Sequence, residues 1–354
     1  MKKQILHLGV LSRITEEYYD FINRSFDIEQ HDFVMFEMDN PHNVAFEGEK
    51  VMVIKNRIND FIKIIPLIYK ADKIYFHGLF LGRLILLFFF DTRLLEKCSW
   101  IIWGGGLTHY AKRKKTVKSR IHEIIRRRVI KNMGSIITHI AKDYKKAQEW
   151  YKVECTFKQF ISHPYQAVDL NTLEFNHEGN EKLKIVIANS ADIAHKHEDI
   201  MSKLSEMEFK EIEVICPLSY AGNERYIKQI INIGNRYFGT NFTPIRNFMD
   251  IDKYKAMMKK VDVGIYAIKQ QGALGNIMML LGYGKKVYIE PNTPHWDFLS
   301  DNGFIVFDYN DLNKNTEIRR ISYSDAQRNI ELCHKLFSYE AIVENWRQEF
   351  ESDT

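Results

Sequence analysis

Residues 261–296 read VDVGIYAIKQQGALGNIMMLLGYGKKVYIEPNTPHW, and this stretch decides the fold of the region around it. VDVGIYA and KKVYIE are short apolar runs rich in β-branched and aromatic residues, which is typical of buried parallel strands. Between them, apolar side chains recur at helical spacing from Ala273 to Tyr283. The stretch therefore predicts a strand, a turn, a helix, a second strand and a closing turn.

The turn between the first strand and the helix is rich in amides and glycine. It contains Gln270, Gln271 and Gly272, and Gly275 lies in the first turn of the helix. Open α/β sheets bind ligands at the carboxyl ends of strands, where free N–H groups and the helix dipole favour phosphate, and glycine lets a diphosphate approach the backbone. We expect this turn to bind the diphosphate of a nucleotide-sugar. The alternative is an ordinary strand-to-helix turn, since such turns are common in α/β proteins.

The same alternation of strand and helix runs along the whole chain in two sets, which the polar residues 163–182 separate. It predicts doubly wound parallel sheets, and a length of 354 residues predicts two domains. We expect two Rossmann-like domains, 1–165 and 180–323, facing a cleft, and a helical segment, 324–354, that packs back toward the first domain. This is the outline of the glycosyltransferase B fold and of two-lobed binding proteins. The latter need a secretory signal, which MKKQILHLGV does not resemble.

The composition is that of a soluble globular protein, with 45% hydrophobic and 27% charged residues. The longest apolar run, residues 84–90, is too short to span a bilayer. Four cysteines lie far apart in the sequence. Their spacing matches neither a zinc site nor a disulfide framework, so we expect reduced thiols in a cytoplasmic protein.

The net charge of +4 conceals one strongly basic segment. Residues 112–131 contain ten lysines and arginines and a single acid, Glu123. Val117, Ile121, Ile124, Ile125 and Val129 line one side of the predicted helix there, which favours an anionic membrane surface. Nucleic acid is not expected because interleaved aromatic residues are missing, and a solvated helix face is the remaining alternative. The predicted membrane-facing cations are Lys112, Arg113, Lys114, Lys115, Arg126, Arg127 and Arg128.

Six short motifs occur in a characteristic order between about residues 75 and 300. They are FHG, IIWGG, IANS, P-x-x-Y-x-x-N-E-x-Y, KQQG and N-x-P-x-W. In this order the sequence resembles glycosyltransferase family 56, the dTDP-N-acetylfucosamine:lipid II N-acetylfucosaminyltransferases. The resemblance implies transfer of a deoxyamino sugar from a dTDP-sugar to an oligosaccharide on undecaprenyl diphosphate, in synthesis of a bacterial surface polysaccharide like enterobacterial common antigen. It also implies a peripheral enzyme on the inner face of the cytoplasmic membrane.

One position departs from the family pattern. Gly106 follows the W-G pair, where the resemblance leads us to expect an acid. A different sugar or acceptor is therefore possible, and the reaction type is better supported than the exact substrates. Two alternatives stay open: a transferase of the same fold that uses a UDP-sugar for capsule or O-antigen, and a non-catalytic two-lobed nucleotide- or sugar-binding protein.

The donor-side candidates follow predicted strands of the second domain. Asn189 and Ser190 end the strand LKIVIANS and are expected to contact the nucleotide or diphosphate, with a helix N-cap as the alternative. Glu224 is a candidate for a ribose or sugar hydroxyl and Tyr220 for stacking on the base, with a capped helix start as the alternative. The donor-side set is Asn189, Ser190, Pro217, Tyr220, Asn223, Glu224, Tyr226, Gln270, Gln271, Gly272, Gly275 and Asn276.

The acceptor-side candidates follow predicted strands of the first domain. His77 is a candidate general base for the acceptor hydroxyl, and the alternative is a histidine that only hydrogen-bonds its own loop. Glu290, in the second domain, is a lesser catalytic candidate. Consecutive glycines would let an acceptor or a phosphate lie against the backbone. The acceptor-side set is Gly78, Trp103, Gly104, Gly105, Gly106 and His109.

We expect neither a metal nor a cofactor. No D-x-D pair follows an apolar strand, and Asp250-Ile-Asp252 is predicted to cap a helix. In this fold class, helix dipoles and hydrogen-bond donors stabilise the leaving diphosphate. The expected partners are therefore a nucleotide-sugar, a lipid-linked acceptor and an anionic membrane surface.

Overall fold

The structure is a computed structural model, and it describes residues 3–37, 48–55, 58–79, 84–102, 106–107, 116–163, 182–207, 211–269 and 272–352. The chain divides into two compact units. Unit 1 comprises Met1–Tyr165 and Ile342–Thr354, and unit 2 comprises Gln166–Ala341. Each unit is built around its own parallel sheet.

Unit 1 contains a seven-stranded sheet in the order β3-β2-β1-β4-β5-β6-β7, with every pairing parallel. The strands are β1 (Ile5–Val10), β2 (His31–Phe36), β3 (Val51–Ile54), β4 (Lys73–His77), β5 (Cys98–Ile101), β6 (Ser135–Ile137) and β7 (Thr156–Lys158). The helices between them are α1 (Arg13–Ser25), α2 (Ile58–Lys70), α3 (Ile85–Phe90), α4 (Val117–Lys131) and α5 (Ala141–Tyr151). The strand order reverses between β1 and β4, which is the signature of a doubly wound sheet.

The two faces of this sheet differ in chemistry because alternate strand residues point to opposite sides. One face is apolar and packs against α2, α3, α4 and α5. Its strand residues include Leu6, Leu8, Ile74, Phe76 and Trp100. The opposite face carries buried polar and aromatic side chains. They include His7, His31, Tyr75, His77 and Ser99.

Unit 2 contains a six-stranded parallel sheet in the order β10-β9-β8-β11-β12-β13. The strands are β8 (Leu183–Ile187), β9 (Ile212–Pro217), β10 (Phe242–Ile245), β11 (Val263–Tyr266), β12 (Lys286–Ile289) and β13 (Phe307–Asp308). The helices are α6 (His197–Ser205), α7 (Glu224–Phe238), α8 (Ile251–Lys259), α9 (Leu274–Gly282), α10 (Pro294–Asp301) and α11 (Tyr323–Phe337). The strand order reverses between β8 and β11.

The last helix, α12 (Tyr339–Glu351), packs on the polar face of the unit 1 sheet. Trp346 donates its indole N–H to the Ser162 carbonyl over 3.0 Å. The buried Glu349 carboxylate accepts from Tyr75 Oη over 2.9 Å and pairs with Lys158 Nζ over 2.9 Å. A buried carboxylate needs such partners because burial removes its hydration, so this ion pair fixes the position of α12 on the sheet.

The two doubly wound parallel-sheet domains predicted from the sequence are confirmed. One local expectation needs correction: the predicted closing turn leads into α10, because Thr293 caps this helix and Pro294 occupies its first turn, which proline suits. Helix α2 continues through Pro66 to Lys70. The C-terminal helical segment comprises α11 and α12, which Ser338, the C-cap residue of α11, separates. In the part of the chain that the structure describes, no helix is both long and apolar enough to cross a bilayer.

Candidate functional site

The predicted donor-side residues meet at the carboxyl edge of the unit 2 sheet. They lie at the ends of β8, β9 and β11, which are three adjacent strands, and the catalytic candidate Glu290 follows the next strand, β12. The chain runs from β8 to β9 and β10 on one side, and then returns to β11 on the other. The loops after β8 and β11 therefore flank the point where open α/β sheets bind ligands.

The loops after β8 and β9 are joined by short contacts. Asn189 Nδ2 donates to Tyr220 Oη over 2.5 Å, and the Ala191 N–H donates to the Tyr220 carbonyl over 2.9 Å. Gly222 has a φ of +67°, and a Cβ there would lie 2.4 Å from the Ala191 carbonyl oxygen. Only glycine fits such a position. These contacts orient Asn189 and Ser190 at the end of β8.

The start of α7 is a capped helix start, the alternative considered for this motif. Asn223 accepts a hydrogen bond from the Tyr226 N–H over 2.9 Å, and the Tyr226 hydroxyl lies 3.0 Å from His197 Nδ1. Pro217 is the buried last residue of β9. Glu224 points to solvent and pairs with Arg246 Nη2 over 3.0 Å. The contacts of Asn223 and Tyr226 are structural, whereas Glu224 stays open to solvent.

The N-cap residue of α9 supplies no side-chain cap to the helix start. Gln270 and Gln271 lie outside the described residues. Ala273 is the N-cap residue with a left-handed φ of +62°, and its side chain caps no N–H group. A Cβ at Gly275 would meet nothing within 4 Å. The Asn276 side chain accepts from Tyr254 Oη over 2.6 Å. An uncapped helix start presents unpaired N–H groups, which is the arrangement that binds phosphate.

His295, in the first turn of α10, holds this turn in place. Its Nε2 accepts a hydrogen bond from the Gly272 N–H over 3.0 Å. Burial lowers the pKa of His295 to about 4, so the ring is neutral near pH 7. Since Nε2 is the acceptor, the proton of the neutral ring lies on Nδ1. His295 was not among the residues predicted from the sequence, although it stands in the quoted N-x-P-x-W motif.

Glu290, predicted as a lesser catalytic candidate, is engaged by two lysines. Its carboxylate lies 2.8 Å from Lys196 Nζ and 3.6 Å from Lys269 Nζ. Lys196 has a left-handed φ of +54°, and the Lys269 side chain is largely exposed. Two cations and one anion leave a net positive charge beside β11 and β12. The arrangement favours a role for Glu290 in positioning these lysines, both of which the sequence analysis missed.

His77 lies at the carboxyl end of β4, but its ring is buried at 1% exposure. Its Nε2 is 3.1 Å from His7 Nδ1, and His7 Nε2 is 3.0 Å from His31 Nδ1. Burial, and then the nearby His163, hold the pKa of His77 well below its usual value. A general base must touch the hydroxyl that it deprotonates. The contact role predicted for His77 therefore needs correction: the ring is the end of a buried histidine chain.

The membrane-facing position predicted for Arg126 also needs correction. Its side chain is 3% exposed and donates to the Gly106 carbonyl over 2.5 Å and the Leu79 carbonyl over 3.1 Å. It does not reach a membrane, because its face of α4 packs against the unit. Gly78, with a φ of +73°, donates its N–H to the Ile101 carbonyl over 3.2 Å. By its two hydrogen bonds, Arg126 thus connects the segments that follow β4 and β5.

The other two arginines of the triplet differ from each other. Arg127 is half-buried, donates to the Trp150 carbonyl and pairs with Glu123 over 3.6 Å. Arg128 is exposed and lies 5.1 Å from the centroid of the Phe89 ring. The remaining predicted acceptor-side and membrane-facing residues lie outside the described part of the chain. They are Trp103, Gly104, Gly105, His109, Lys112, Arg113, Lys114 and Lys115.

No group of three or more His, Cys, Asp or Glu side chains that could hold a metal ion occurs among the described residues. Asp250 caps α8 by accepting from the Asp252 N–H over 2.9 Å, as the D-x-D spelling was predicted to do.

A family model described as 4-alpha-L-fucosyltransferase, glycosyl transferase group 56, matches residues 28–352. Among solved structures, a glycosyltransferase from Rickettsia africae ESF-5 has a TM-score of 0.65 at 11% identity and covers 100% of both chains. Anabaena Alr3699/HepE in complex with UDP has a TM-score of 0.66 at 10% identity, covering 98% of this chain and 99% of that chain.

An α,α-trehalose 6-phosphate synthase from Burkholderia multivorans has a TM-score of 0.62 at 5% identity, covering 99% of this chain and 96% of that chain. At such low identities these similarities concern the fold alone. They confirm the predicted glycosyltransferase B fold.

Proposed function

The chain belongs to the 4-alpha-L-fucosyltransferase family, glycosyl transferase group 56, and from this premise we propose its substrates. The donor is a dTDP-linked deoxyamino sugar such as dTDP-N-acetylfucosamine. The acceptor is an oligosaccharide on undecaprenyl diphosphate, in synthesis of a bacterial surface polysaccharide such as enterobacterial common antigen. That the chain is a glycosyltransferase follows from the family; the donor, the acceptor and the pathway are the proposal.

One observation carries the donor part of the proposal. At the point where the unit 2 strand order reverses, Glu290 joins Lys196 and the exposed Lys269, and α9 begins shortly after Lys269 in the sequence with no side-chain cap from its N-cap residue. A diphosphate needs several donors and a compensating charge within a short span. The contacts of Asn189 and Tyr220 leave them at the same edge to contact the nucleoside. Together these groups support nucleotide-sugar binding in unit 2.

The proposed reaction is direct transfer. The acceptor hydroxyl oxygen attacks the anomeric carbon, the bond from that carbon to the β-phosphate oxygen breaks, and the electron pair leaves with the nucleoside diphosphate. The hydroxyl proton passes to a base. Negative charge grows on the departing β-phosphate, and the N–H groups of the α9 start and the two lysines would stabilise it.

A UDP-sugar donor is the second candidate. The solved structure of Anabaena Alr3699/HepE is a complex with UDP. dTDP and UDP differ by the thymine methyl group, which an apolar pocket discriminates by about 1–3 kcal/mol, and by the 2′-hydroxyl that only UDP carries. A lipid-linked acceptor would place the enzyme, as a peripheral protein, at the inner face of the cytoplasmic membrane.

Titration calorimetry with dTDP and UDP tests donor binding directly. We expect dTDP to bind tighter than UDP, and Lys269→Glu to weaken both because the added carboxylate repels the diphosphate. Lys335→Glu, a change at an exposed lysine on α11, serves as the matched control. Absence of binding by both nucleotides to folded wild-type protein would contradict the proposal, and tighter binding of UDP would favour the second candidate.

A further inference from the structure

Three neighbouring helices of unit 1 form one continuous outer layer. Helices α2, α3 and α4 all bury side chains in the same apolar cluster on one face of the sheet, including Ile64, Phe88 and Val129. Adjacent helices also touch at their outer edges. Tyr69 Oη of α2 donates to Asp91 Oδ2 at the end of α3 over 3.4 Å, and Arg128 of α4 lies over the Phe89 ring of α3.

The solvent side of this layer is unusually apolar. Eight of the ten large hydrophobic side chains that the described part of unit 1 exposes lie on these three helices. They are Ile62, Ile65, Tyr69, Leu86, Phe90, Val117, Ile121 and Ile124. We call these eight residues the apolar surface. Contiguous exposed apolar patches mark sites of interaction, whereas single exposed hydrophobic residues do not.

The next helix along the sheet marks the boundary of the apolar surface. Helix α5 packs on the same face of the sheet through Ala147 and Tyr151. Its exposed side chains are all polar: Lys142, Lys145, Gln148 and Glu149. Since α5 shows the usual division into a buried apolar side and a solvated polar side, the exposure on α2, α3 and α4 is specific to those helices.

Cations accompany the apolar surface. Six exposed lysines and arginines lie on the same helices or directly after α3: Lys63, Lys70, Arg93, Arg120, Arg128 and Lys131. Among the acids of these segments, Asp91 pairs with Arg93 and Glu123 pairs with Arg127. Asp60 is half-buried and accepts from the Lys55 N–H, so Glu96 is the exposed acid among those described there. The layer therefore combines apolar side chains with excess positive charge.

This combination discriminates between possible occupants. A second copy of the chain, joined by a two-fold axis, would bring each cation against the same set of cations. An anionic lipid surface supplies the opposite charge and, below it, an apolar phase for the side chains. We propose that the apolar surface of α2, α3 and α4 inserts into the interface of an anionic bilayer while the flanking cations contact lipid phosphates.

This inference deepens the proposed function and rests on it for its purpose, because a lipid-linked acceptor is reached only at the membrane. It also revises the membrane contact expected from the sequence. Arg126 is excluded by burial, and the surface extends over two further helices that carry no strongly basic signal. In this proposal, membrane affinity comes from the charges and also from insertion of apolar side chains. These are Phe90, which is 79% exposed, and the exposed isoleucines of α4.

The test is co-sedimentation of the full chain with vesicles. We expect wild type to bind phosphatidylglycerol/phosphatidylethanolamine vesicles, to bind phosphatidylcholine vesicles at least tenfold less tightly, and to lose affinity as salt increases. The variant Phe90→Asp/Ile121→Asp/Ile124→Asp should bind anionic vesicles at least tenfold less tightly. The matched control is Phe248→Asp/Ile193→Asp/Ile251→Asp, which changes one exposed phenylalanine and two exposed isoleucines of unit 2 and should bind like wild type.

Circular dichroism verifies that the variants fold. If the apolar triple variant does not fold, Arg120→Glu/Lys131→Glu is compared with Arg236→Glu/Lys335→Glu, since all four residues are exposed. The proposal is overturned if wild type ignores anionic vesicles, if the surface variants bind like wild type, or if surface and control variants lose binding equally. It is also overturned if the surface variants change only the oligomeric state in analytical ultracentrifugation, which would identify a second copy as the occupant.

Transfer by wild type to a short-chain, water-soluble acceptor separates this inference from the proposed function. Transfer without vesicle binding rejects the membrane surface and keeps the function. Vesicle binding without transfer from any nucleotide-sugar keeps the surface and rejects the function.

Discussion

At the scale of single residues, the carboxyl edge of unit 2 depends on contacts between loops that are far apart in the sequence. Gly222 allows the β9 loop to approach Ala191, and His295 binds the Gly272 N–H. Asn189 was predictable, because a polar residue ending an apolar strand is visible locally. Gly222 and His295 were not, since their roles depend on partners more than 20 residues away.

His295→Leu should weaken nucleotide binding. The change removes the acceptor of the Gly272 N–H, and an unpaired donor in a partly buried turn costs about 1–3 kcal/mol. If the turn before α9 binds the diphosphate, affinity for dTDP should fall about tenfold. Calorimetry measures it, with His334→Leu at an exposed position of α11 as the control. Wild-type affinity in a folded His295→Leu protein would remove the turn from the site.

Arg126→Ala should destabilise unit 1 strongly. The buried guanidinium donates to two carbonyls, and hydrogen bonds of charged groups contribute about 1.5–3 kcal/mol each. We expect the free energy of unfolding, from urea titration, to fall by about 3 kcal/mol. Arg128→Ala removes an exposed neighbour of the same type and should change it by less than about 0.5 kcal/mol. Equal effects of the two variants would show that the hydrogen bonds of Arg126 do not stabilise unit 1.

At the scale of secondary-structure elements, most helices and strands were predictable from the spacing of apolar residues. Exposure was harder to predict. Val117, Ile121 and Ile124 form an apolar stripe on α4, and periodicity alone does not tell whether such a stripe packs inward or faces outward. In the structure they are exposed, and α4 packs through Val129 and Ile130. Val129 and Ile130 pack on the sheet near the end of α4, and this packing determines which side of the helix faces solvent.

The histidines on the polar face of the unit 1 sheet form a pH-sensitive element. His31, His7 and His77 are connected by hydrogen bonds, and the His77 and His163 rings lie 5.9 Å apart. Burial lowers the pKa of His31 to about 4 and that of His163 to about 3. Burial, together with neighbouring histidines, also holds the pKa of His7 well below its usual value. These rings are therefore neutral in the folded protein at pH 7.

Acid should destabilise unit 1 in a defined pH window. Above pH 6.5 the rings are neutral in both the folded and the unfolded state. As the pH falls below 6.5, the unfolded chain takes up protons that the folded state excludes, and stability decreases until the folded pKa values near 4 and 3 are reached. At about 1.4 kcal/mol per pKa unit, the full loss is roughly 3 kcal/mol for His31 and roughly 5 kcal/mol for His163.

Urea unfolding between pH 7.5 and 4.5 measures this dependence. His163→Phe should reduce the dependence of the free energy of unfolding on pH, because the variant lacks one of the histidines that take up a proton when the protein unfolds. The exposed His334 of α11 lies outside this histidine cluster, and His334→Phe is the matched control. A wild-type stability that does not vary with pH across this window would contradict the assignment of neutral rings.

At the scale of the whole molecule, two doubly wound units follow from a sequence in which strand and helix alternate twice. Each unit has a strand-order reversal, at β1/β4 and at β8/β11. Of the quoted motifs, FHG covers the end of β4, and IANS begins at the last residue of β8. The base for the acceptor hydroxyl was harder to predict. The sequence places His77 at the end of a strand, but it does not show that α1 and α12 cover the polar face of the unit 1 sheet, where His77 lies.

Transfer should survive EDTA. In the proposed reaction, the lysines beside Glu290 and the N–H groups of the α9 start would supply the positive charge that a metal supplies in other enzymes. We expect less than a twofold change in initial rate after chelation and dialysis. Loss of activity that magnesium or manganese restores would show that a metal is needed.

The central claim is that this chain transfers a sugar from a dTDP-sugar to a lipid-diphosphate acceptor. The most direct measurement incubates the purified protein with dTDP-N-acetylfucosamine and a short-chain acceptor analogue, and follows both products by mass spectrometry. The account predicts that the acceptor gains one deoxyamino sugar and that one dTDP is released for each sugar transferred. A folded protein that leaves the acceptor unchanged with dTDP-sugars and with UDP-sugars would contradict it.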